Sequence, residues 1–214
     1  MTLQDSRQAT LVSILHLAPV IPVVVIDDLA HAVPLARALV AGGTPAIEIT
    51  LRTPAALDAI RAIATEVEGA HVGAGTVLTP RDLDAVANAG ACFAVSPGST
   101  SKLLDAADNH DLPLLPGAAT ASEVMTLLER GYTLQKCFPA EPVNAAKLLR
   151  SLADPLPQAR FCPTGGITAQ TAPDYLALPN VVCVGGSWLT PKNLVATGDW
   201  AGIETLAHAA ANLR

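Results

Sequence analysis

The chain has 214 residues, enough for one large domain or two small ones. Half of the residues are hydrophobic and only 15% are charged, which excludes a disordered or tail-like protein. A formal net charge of −6 and an aromatic share of 3% argue against a nucleic-acid face, which needs a basic surface or stacking rings.

The first predicted element is a helix over Gln8–Leu17. Short β-branched runs then alternate with alanine- and leucine-rich stretches of helical length. The predicted strands are Ile21–Ile26, Ala46–Leu51, Ala70–Gly75, Cys92–Val95, Leu112–Leu115, Thr133–Phe138, Arg160–Pro163 and Val181–Val184. The predicted helices between and after them are Ala30–Ala41, Pro54–Val67, Pro80–Ala89, Ser99–Asp108, Ala121–Arg130, Pro142–Leu152, Ala169–Ala177 and Ile203–Leu213. Thr53-Pro54, Thr79-Pro80 and Ser99 read as helix starts, and Gly42-Gly43, Gly90 and Gly131 as helix stops. Strict alternation of this kind argues for a parallel sheet, and eight such units closing on themselves make a (β/α)8 TIM barrel. The extra N-terminal helix is expected to plug its bottom. No proline- or serine-rich linker divides residues 1–214, so one domain is expected. Periodicity cannot see closure, and a doubly wound open sheet is the alternative.

The N-terminal stretch lacks a charged segment followed by a clean apolar core, so no signal peptide is read there. No apolar run is long enough to span a bilayer. The four cysteines, Cys92, Cys137, Cys162 and Cys183, show no C-x-x-C spacing. They read as small buried thiols in a reducing cytoplasm. The histidines show neither H-x-H nor H-E-x-x-H spacing, so no metal site is expected.

Three anomalies point to chemistry. In Ala46–Arg52, Ile47, Ile49 and Leu51 occupy one face, and Ala46, Glu48, Thr50 and Arg52 the other. With the apolar face under the helices, Glu48 and Arg52 point inward, where charge is costly unless paired or used. They are either a structural Glu48–Arg52 ion pair, or a base and an anion clamp at the C-terminal rim. Only four lysines occur, and Lys102, Lys147 and Lys192 fall in helices or a late turn, where they read as surface charge. Lys136 sits inside a strand, ahead of Phe138-Pro139. A desolvated lysine favours the neutral amine, which attacks a ketone to give a Schiff base. The other reading is a lysine reaching the barrel mouth to pair with Glu48 or Glu141. Finally, Thr164-Gly165-Gly166 and Gly185-Gly186-Ser187 follow the seventh and eighth strands, where barrels commonly seat phosphate.

The runs PVIPVVVIDD, AVPLARALVAGG, IEITLRT, VGAGTVL, AVSPG, LLPGAAT, KCFPAE, FCPTGGI and CVGGSWL occur in this order along nearly the whole chain. Together they resemble the 2-keto-3-deoxy-6-phosphogluconate aldolase family, class I aldolases on a (β/α)8 barrel. The resemblance implies Lys136 as Schiff-base lysine and Glu48 as general acid/base. It implies Arg52 and Thr76 on the pyruvate carboxylate, Pro97 and Phe138 as pocket lining, and Thr164 near the substrate. It implies Gly165, Gly166, Gly186 and Ser187 on the phosphate. It further implies a phosphorylated keto acid substrate, with 4-hydroxy-2-oxoglutarate as a further substrate, no cofactor and no metal; an aldolase for the galactonate epimer stays open as an alternative. A homotrimer is implied, with neither nucleic acid nor membrane as partner. Cys137 stands where the family more often has Phe, and by alternation it should face the helices. Pro142–Ala146 replaces a segment that usually contains Gly-Gly. Two other readings remain open: an isomerase or synthase with Glu48 as base and Lys136 as an anion contact, and a non-catalytic ligand-binding barrel.

Overall fold

Among the described residues, an N-terminal helix leads into nine strand segments, most of them followed by a helix. The structure is a computed structural model and describes residues 3–213. Helix α1 spans Leu3–Leu15, followed by β1 (Val20–Val24), a 3₁₀ turn (Leu29–His31) and α2 (Ala32–Ala41). Next come β2 (Ala46–Thr50), α3 (Ala56–Glu66), β3 (His71–Gly75), α4 (Pro80–Asn88), β4 (Ala94–Val95) and α5 (Ser101–Ala107). Then follow β5 (Leu114–Leu115), β6 (Gly117–Ala118), α6 (Ala121–Glu129), β7 (Leu134–Cys137), α7 (Ala145–Leu152) and β8 (Arg160–Pro163). The chain ends with α8 (Ala172–Leu176), β9 (Val184–Gly186), α9 (Lys192–Thr197) and α10 (Trp200–Ala211).

Every ladder is parallel. A six-stranded sheet runs β5-β4-β3-β2-β1-β9 and a three-stranded sheet runs β6-β7-β8. The fifth predicted strand, Leu112–Leu115, is shortened to β5, and a further short piece, β6, follows it in the other sheet. Pro116 lies between them, and a proline has no N–H to give a ladder. Isolated bridges Phe161↔Val181 and Thr164↔Gly185 link β8 to the β9 segment. The result is an α/β fold whose parallel sheet curls, with helices on its outside.

Two apolar clusters follow from the curl. The outer one packs Ile47, Ile49 and Cys137 beneath Leu35, Leu39, Ile60, Ile63 and Leu149 of the helices. Cys137 therefore faces the helices, as alternation predicts. The inner cluster joins Leu11, Ile14 and Leu15 of α1 to Ile21, Ala46, Phe93, Leu134 and Cys162 of the strands. Each fully buried Leu or Ile contributes about 1.5–3 kcal/mol, so α1 is part of the core and closes its N-terminal end. Polar contacts fix α1 further. The buried Arg7 donates to the carbonyls of Ala107, Asp108 and His110 at the end of α5. Gln8 accepts the N–H of Leu134 at 2.9 Å, which pins the first residue of β7.

Several boundaries move. Helix α1 begins at Leu3, five positions before the predicted start at Gln8. Helix α3 begins at Ala56, and Thr53 gives its hydroxyl to Ile26 O instead of capping. Helix α5 is capped by Thr100, while Ser99 donates to Gly117 O. Helix α7 starts at Ala145, after Asn144 in a left-handed conformation (φ 53°). The last strand lies at Val184–Gly186, three residues beyond the predicted Val181 start, and Lys192 opens the short helix α9. The Thr79 capping box and the positive φ of Gly43, Gly90 and Gly131 agree with the predicted starts and stops.

Candidate active site

Register brings the polar side chains of neighbouring strands to the C-terminal end of the curled sheet. Lys136 stands opposite Gly117 on β6 and Cys162 on β8. Glu48 stands opposite Val23 on β1 and Gly73 on β3. Both point inward because Leu134 and Ala46, two residues earlier on each strand, belong to the inner cluster.

The two side chains meet. Lys136 Nζ lies 3.2 Å from Glu48 Oε1, and the residues are 5% and 4% exposed. Solvent and salt screen a pair so buried much less than one at the surface. The same Nζ lies 5.3 Å from the centroid of the Phe138 ring, within cation–π range. Gly75 makes room for the carboxylate: a Cβ there would stand 2.1 Å from Glu48 Oε1. A carboxylate at this distance can take the ammonium proton and leave a neutral amine, the form that attacks a carbonyl.

Arg52 does not pair with Glu48. It lies two residues past the end of β2, exposed at the mouth, and its Nε donates to Thr76 Oγ1 at 3.3 Å. The expected inward guanidinium is therefore a rim guanidinium, and no desolvation penalty attaches to it. Thr76 has φ 61°, a left-handed conformation that is strained for a β-branched residue. Such outliers persist where the surroundings over-determine them, commonly at binding sites. Here the strained residue meets the guanidinium.

A cavity of about 600 Å³ connects these groups to the glycine loops. Its walls include Arg52, Lys136, Phe138, Pro139, Glu141, Thr164, Gly165, Gly166 and Ser187. Gly165 and Gly166 have φ 108° and 83°, conformations that disfavour any side chain. A second cavity of about 590 Å³ opens beside the first and shares Arg52 and Ser187 with it. The structure thus gathers Lys136, Glu48, Phe138, Thr164, Gly165, Gly166, Ser187 and Arg52, with Thr76 bound to Arg52. Four expected residues, Glu48, Thr76, Pro97 and Gly186, are not walls of the cavity; Glu48 meets it through Lys136 and Thr76 through Arg52. Pro97 packs its carbonyl against Gly117, and Gly186 packs against the Trp188 ring. Gly185 lines the cavity instead, since a Cβ there would stand 2.2 Å from Thr164 Oγ1. Sequence reasoning also missed Val23, Val25 and Glu141 as walls. Val23 and Val25 read as ordinary strand residues, and the sequence offers Glu141 only as a partner for Lys136, which pairs with Glu48 instead.

Comparison with known proteins shows the family. The model of the aldolase family described as KDPG and KHG aldolase matches residues 11–206. This chain belongs to that family. The KHG/KDPG aldolase of Escherichia coli K12 is 53% identical over 198 residues, covering 92% of this chain and 93% of the relative. The 2-dehydro-3-deoxy-phosphogluconate aldolase of Pseudomonas aeruginosa is 46% identical, covering 96% and 94%. Among solved structures, the KDPG aldolase of Legionella pneumophila superposes with a TM-score of 0.92 at 43% identity, covering 94% and 98%. That structure is described as holding pyruvate captured at low pH as a covalent carbinolamine intermediate. The aldolase of Zymomonas mobilis ZM4, solved with 3-phosphoglycerate, superposes at 0.89 with 49% identity, covering 94% and 95%. The aldolase family thus matches the chemistry available to a buried amine beside a carboxylate.

Proposed function

We propose that this chain cleaves 2-keto-3-deoxy-6-phosphogluconate to pyruvate and glyceraldehyde 3-phosphate through a Schiff base on Lys136. The observation that carries the reading is the buried Lys136–Glu48 contact of 3.2 Å, with Lys136 lining the same cavity as the Gly165–Gly166 loop. Glu48 takes the ammonium proton, and the freed amine adds to the C2 ketone to give a carbinolamine. Glu48 returns that proton to the carbinolamine hydroxyl, which leaves as water, and the protonated imine that remains is an electron sink for the C3–C4 bond. Glu48, acting through a water, takes the C4 hydroxyl proton as that bond breaks, and glyceraldehyde 3-phosphate departs. A positioned base of this kind contributes about 10²–10⁴-fold. The remaining enamine is protonated at C3, and water releases pyruvate and the free lysine.

The other residues bind. Arg52 and Thr76 hold the carboxylate at the rim. Phe138 and Pro97 shape the pocket, and Thr164 lies beside the reacting carbons. Gly165, Gly166, Gly186 and Ser187 take the phosphate, with no cofactor and no metal in the reaction. The family also supports 4-hydroxy-2-oxoglutarate as a second substrate, since the relatives include proteins with the double name. We further read residues 1–214 as one (β/α)8 barrel, a reading supported by the β1–β9 ladder and the β8–β9 bridges. The family resemblance supports a homotrimer. The four cysteines form no disulfide, which suits a cytoplasmic setting, and no helix among the described residues is long and apolar enough to cross a membrane.

The test is pyruvate release, coupled to lactate dehydrogenase, from 2-keto-3-deoxy-6-phosphogluconate, its galactonate epimer and 4-hydroxy-2-oxoglutarate. The first should have the highest kcat/KM. A higher value for the last overturns the sugar assignment, and no pyruvate from any of them overturns the aldolase mechanism in this chain.

A further inference from the structure

The glycine loop after β8 has no side chains to set its own shape. Glycine backbones also carry the greatest conformational freedom, so the form of this loop depends on what packs behind it. Two neighbours do so. A Cβ on Gly165 would meet the Phe138 ring at 3.2 Å, and a Cβ on Gly166 would meet Cβ and Cγ of Glu141 at 2.8 Å. The main chain joins the same partners, because Ala140 N donates to Thr164 O at 2.8 Å and Glu141 N to Gly165 O at 3.0 Å. The segment after β7 and the loop after β8 are therefore laced together, with Glu141 at the outer end.

Glu141 is an awkward residue to find there. It is a wall of the cavity, and its carboxylate stands next to a loop suited to an anion. A carboxylate turned toward a phosphate dianion opposes binding. Its Oε1 is held elsewhere: the hydroxyl of Tyr175 donates to it at 2.9 Å. Tyr175 is 3% exposed and lies in α8, the helix that follows the glycine loop. Burial first, and then the bond to Glu141, push its phenol well above the usual tyrosine range, so it stays a donor at any ordinary assay pH.

We infer that Tyr175 and Glu141 form a positioning pair that sets the preference for a phosphorylated substrate. Tyr175 ties the Glu141 carboxylate back from the cavity while the Glu141 stem supports Gly166. Neither residue touches the reacting carbons. This inference rests on the reading that the Gly165–Gly166 loop takes the phosphate. Removing the phenol hydroxyl frees the carboxylate to swing toward that seat. Solvent screens the exposed Glu141, so the effect is modest, and it falls on the phosphate end alone.

The experiment compares Tyr175→Phe, Glu141→Gln and the double variant with the full-length protein. KM and kcat are measured for 2-keto-3-deoxy-6-phosphogluconate and for 4-hydroxy-2-oxoglutarate, which has no phosphate. Inhibition of the second reaction by inorganic phosphate is measured alongside. Tyr175→Phe should raise KM for the phosphorylated substrate about three- to tenfold and weaken phosphate inhibition by a similar factor, with kcat and the unphosphorylated reaction within twofold. In the Glu141→Gln background the same tyrosine change should cost less than about twofold, because no charge remains to be released. An equal loss on both substrates, no loss on either, or an undiminished penalty in the Glu141→Gln background overturns the pair. If the wild type prefers the unphosphorylated substrate, yet Tyr175→Phe still weakens phosphate inhibition, the substrate reading fails and the pair stands.

Discussion

Replacing Gly75 by alanine tests how closely the base must be held. Gly75 ends β3 in register with Thr50, and its backbone is outside the left-handed region, so an alanine is conformationally allowed. The added Cβ would stand 2.1 Å from Glu48 Oε1 and 2.7 Å from its carboxyl carbon. Ordinary contact begins near 3.4 Å, so the carboxylate has to retreat by about 1.3 Å. The strand cannot retreat in its place, because β3 is paired with β2 on one side and β4 on the other. The oxygen that moves is the one 3.2 Å from Lys136 Nζ. A displacement of about 1 Å in a reacting geometry costs on the order of 10²-fold in rate. The expected result is a hundredfold fall in kcat for pyruvate release, on the order set by that displacement, with KM little changed. Substrate binding survives because the rim arginine and the glycine loop lie elsewhere. Reductive trapping of pyruvate on Lys136 should persist, since the amine itself is untouched. A variant with wild-type kcat would refute the view that the position of Glu48 limits the reaction.

Two further outcomes follow from the same contacts. Lys136→Met should abolish pyruvate release and destabilise the protein by about 3–5 kcal/mol in urea unfolding, because it strands the Glu48 carboxylate. Adding Glu48→Gln should restore part of that loss, and strictly additive losses would contradict a direct pair. Burial pushes the Cys92 thiol up to about 11 and the Cys137 thiol up to about 12. A raised thiol pKa keeps the unreactive protonated form as pH rises, so both should resist iodoacetamide at pH 8 in the native protein and react once it is unfolded. Unfolded chains ionise these thiols first, so stability should fall as pH climbs from about 9 toward 11. Rapid native labelling of Cys137 would contradict its place under the helices.

The alternation in Ala46–Arg52 was legible because period two is a property of the strand itself. It put Glu48 on the inner face and Ile47 and Ile49 under the helices. The scarcity of lysine made Lys136 stand out, but its strand and that of Glu48 lie in different sheets, and only the inward curl brings the two side chains together. What stayed hidden depends on distant backbone or on a single step of parity. Arg7 lies just outside the predicted helix and Gln8 at its start, and neither carried a signal, yet both are buried against carbonyls and an N–H a hundred or more positions away. Gly185 and Gly186 are adjacent glycines, and only the pleat decides which faces the cavity. Thr100 and Ser99 offer the same capping chemistry one residue apart, and the turn geometry chooses Thr100. Arg52 followed the alternation on paper, but β2 ends at Thr50, so its side chain is released to the rim. Glu141 needed the folded loop behind it, because its contacts are with Gly166 and Tyr175.

The central claim is that one buried amine among four lysines forms the covalent bond to substrate. Incubation with pyruvate and borohydride, followed by peptide mass spectrometry, tests it directly. The expected result is a single reduced pyruvate adduct on Lys136, with loss of activity in step with labelling. An adduct on Lys102, Lys147 or Lys192, or full activity after treatment with no adduct at all, would contradict it.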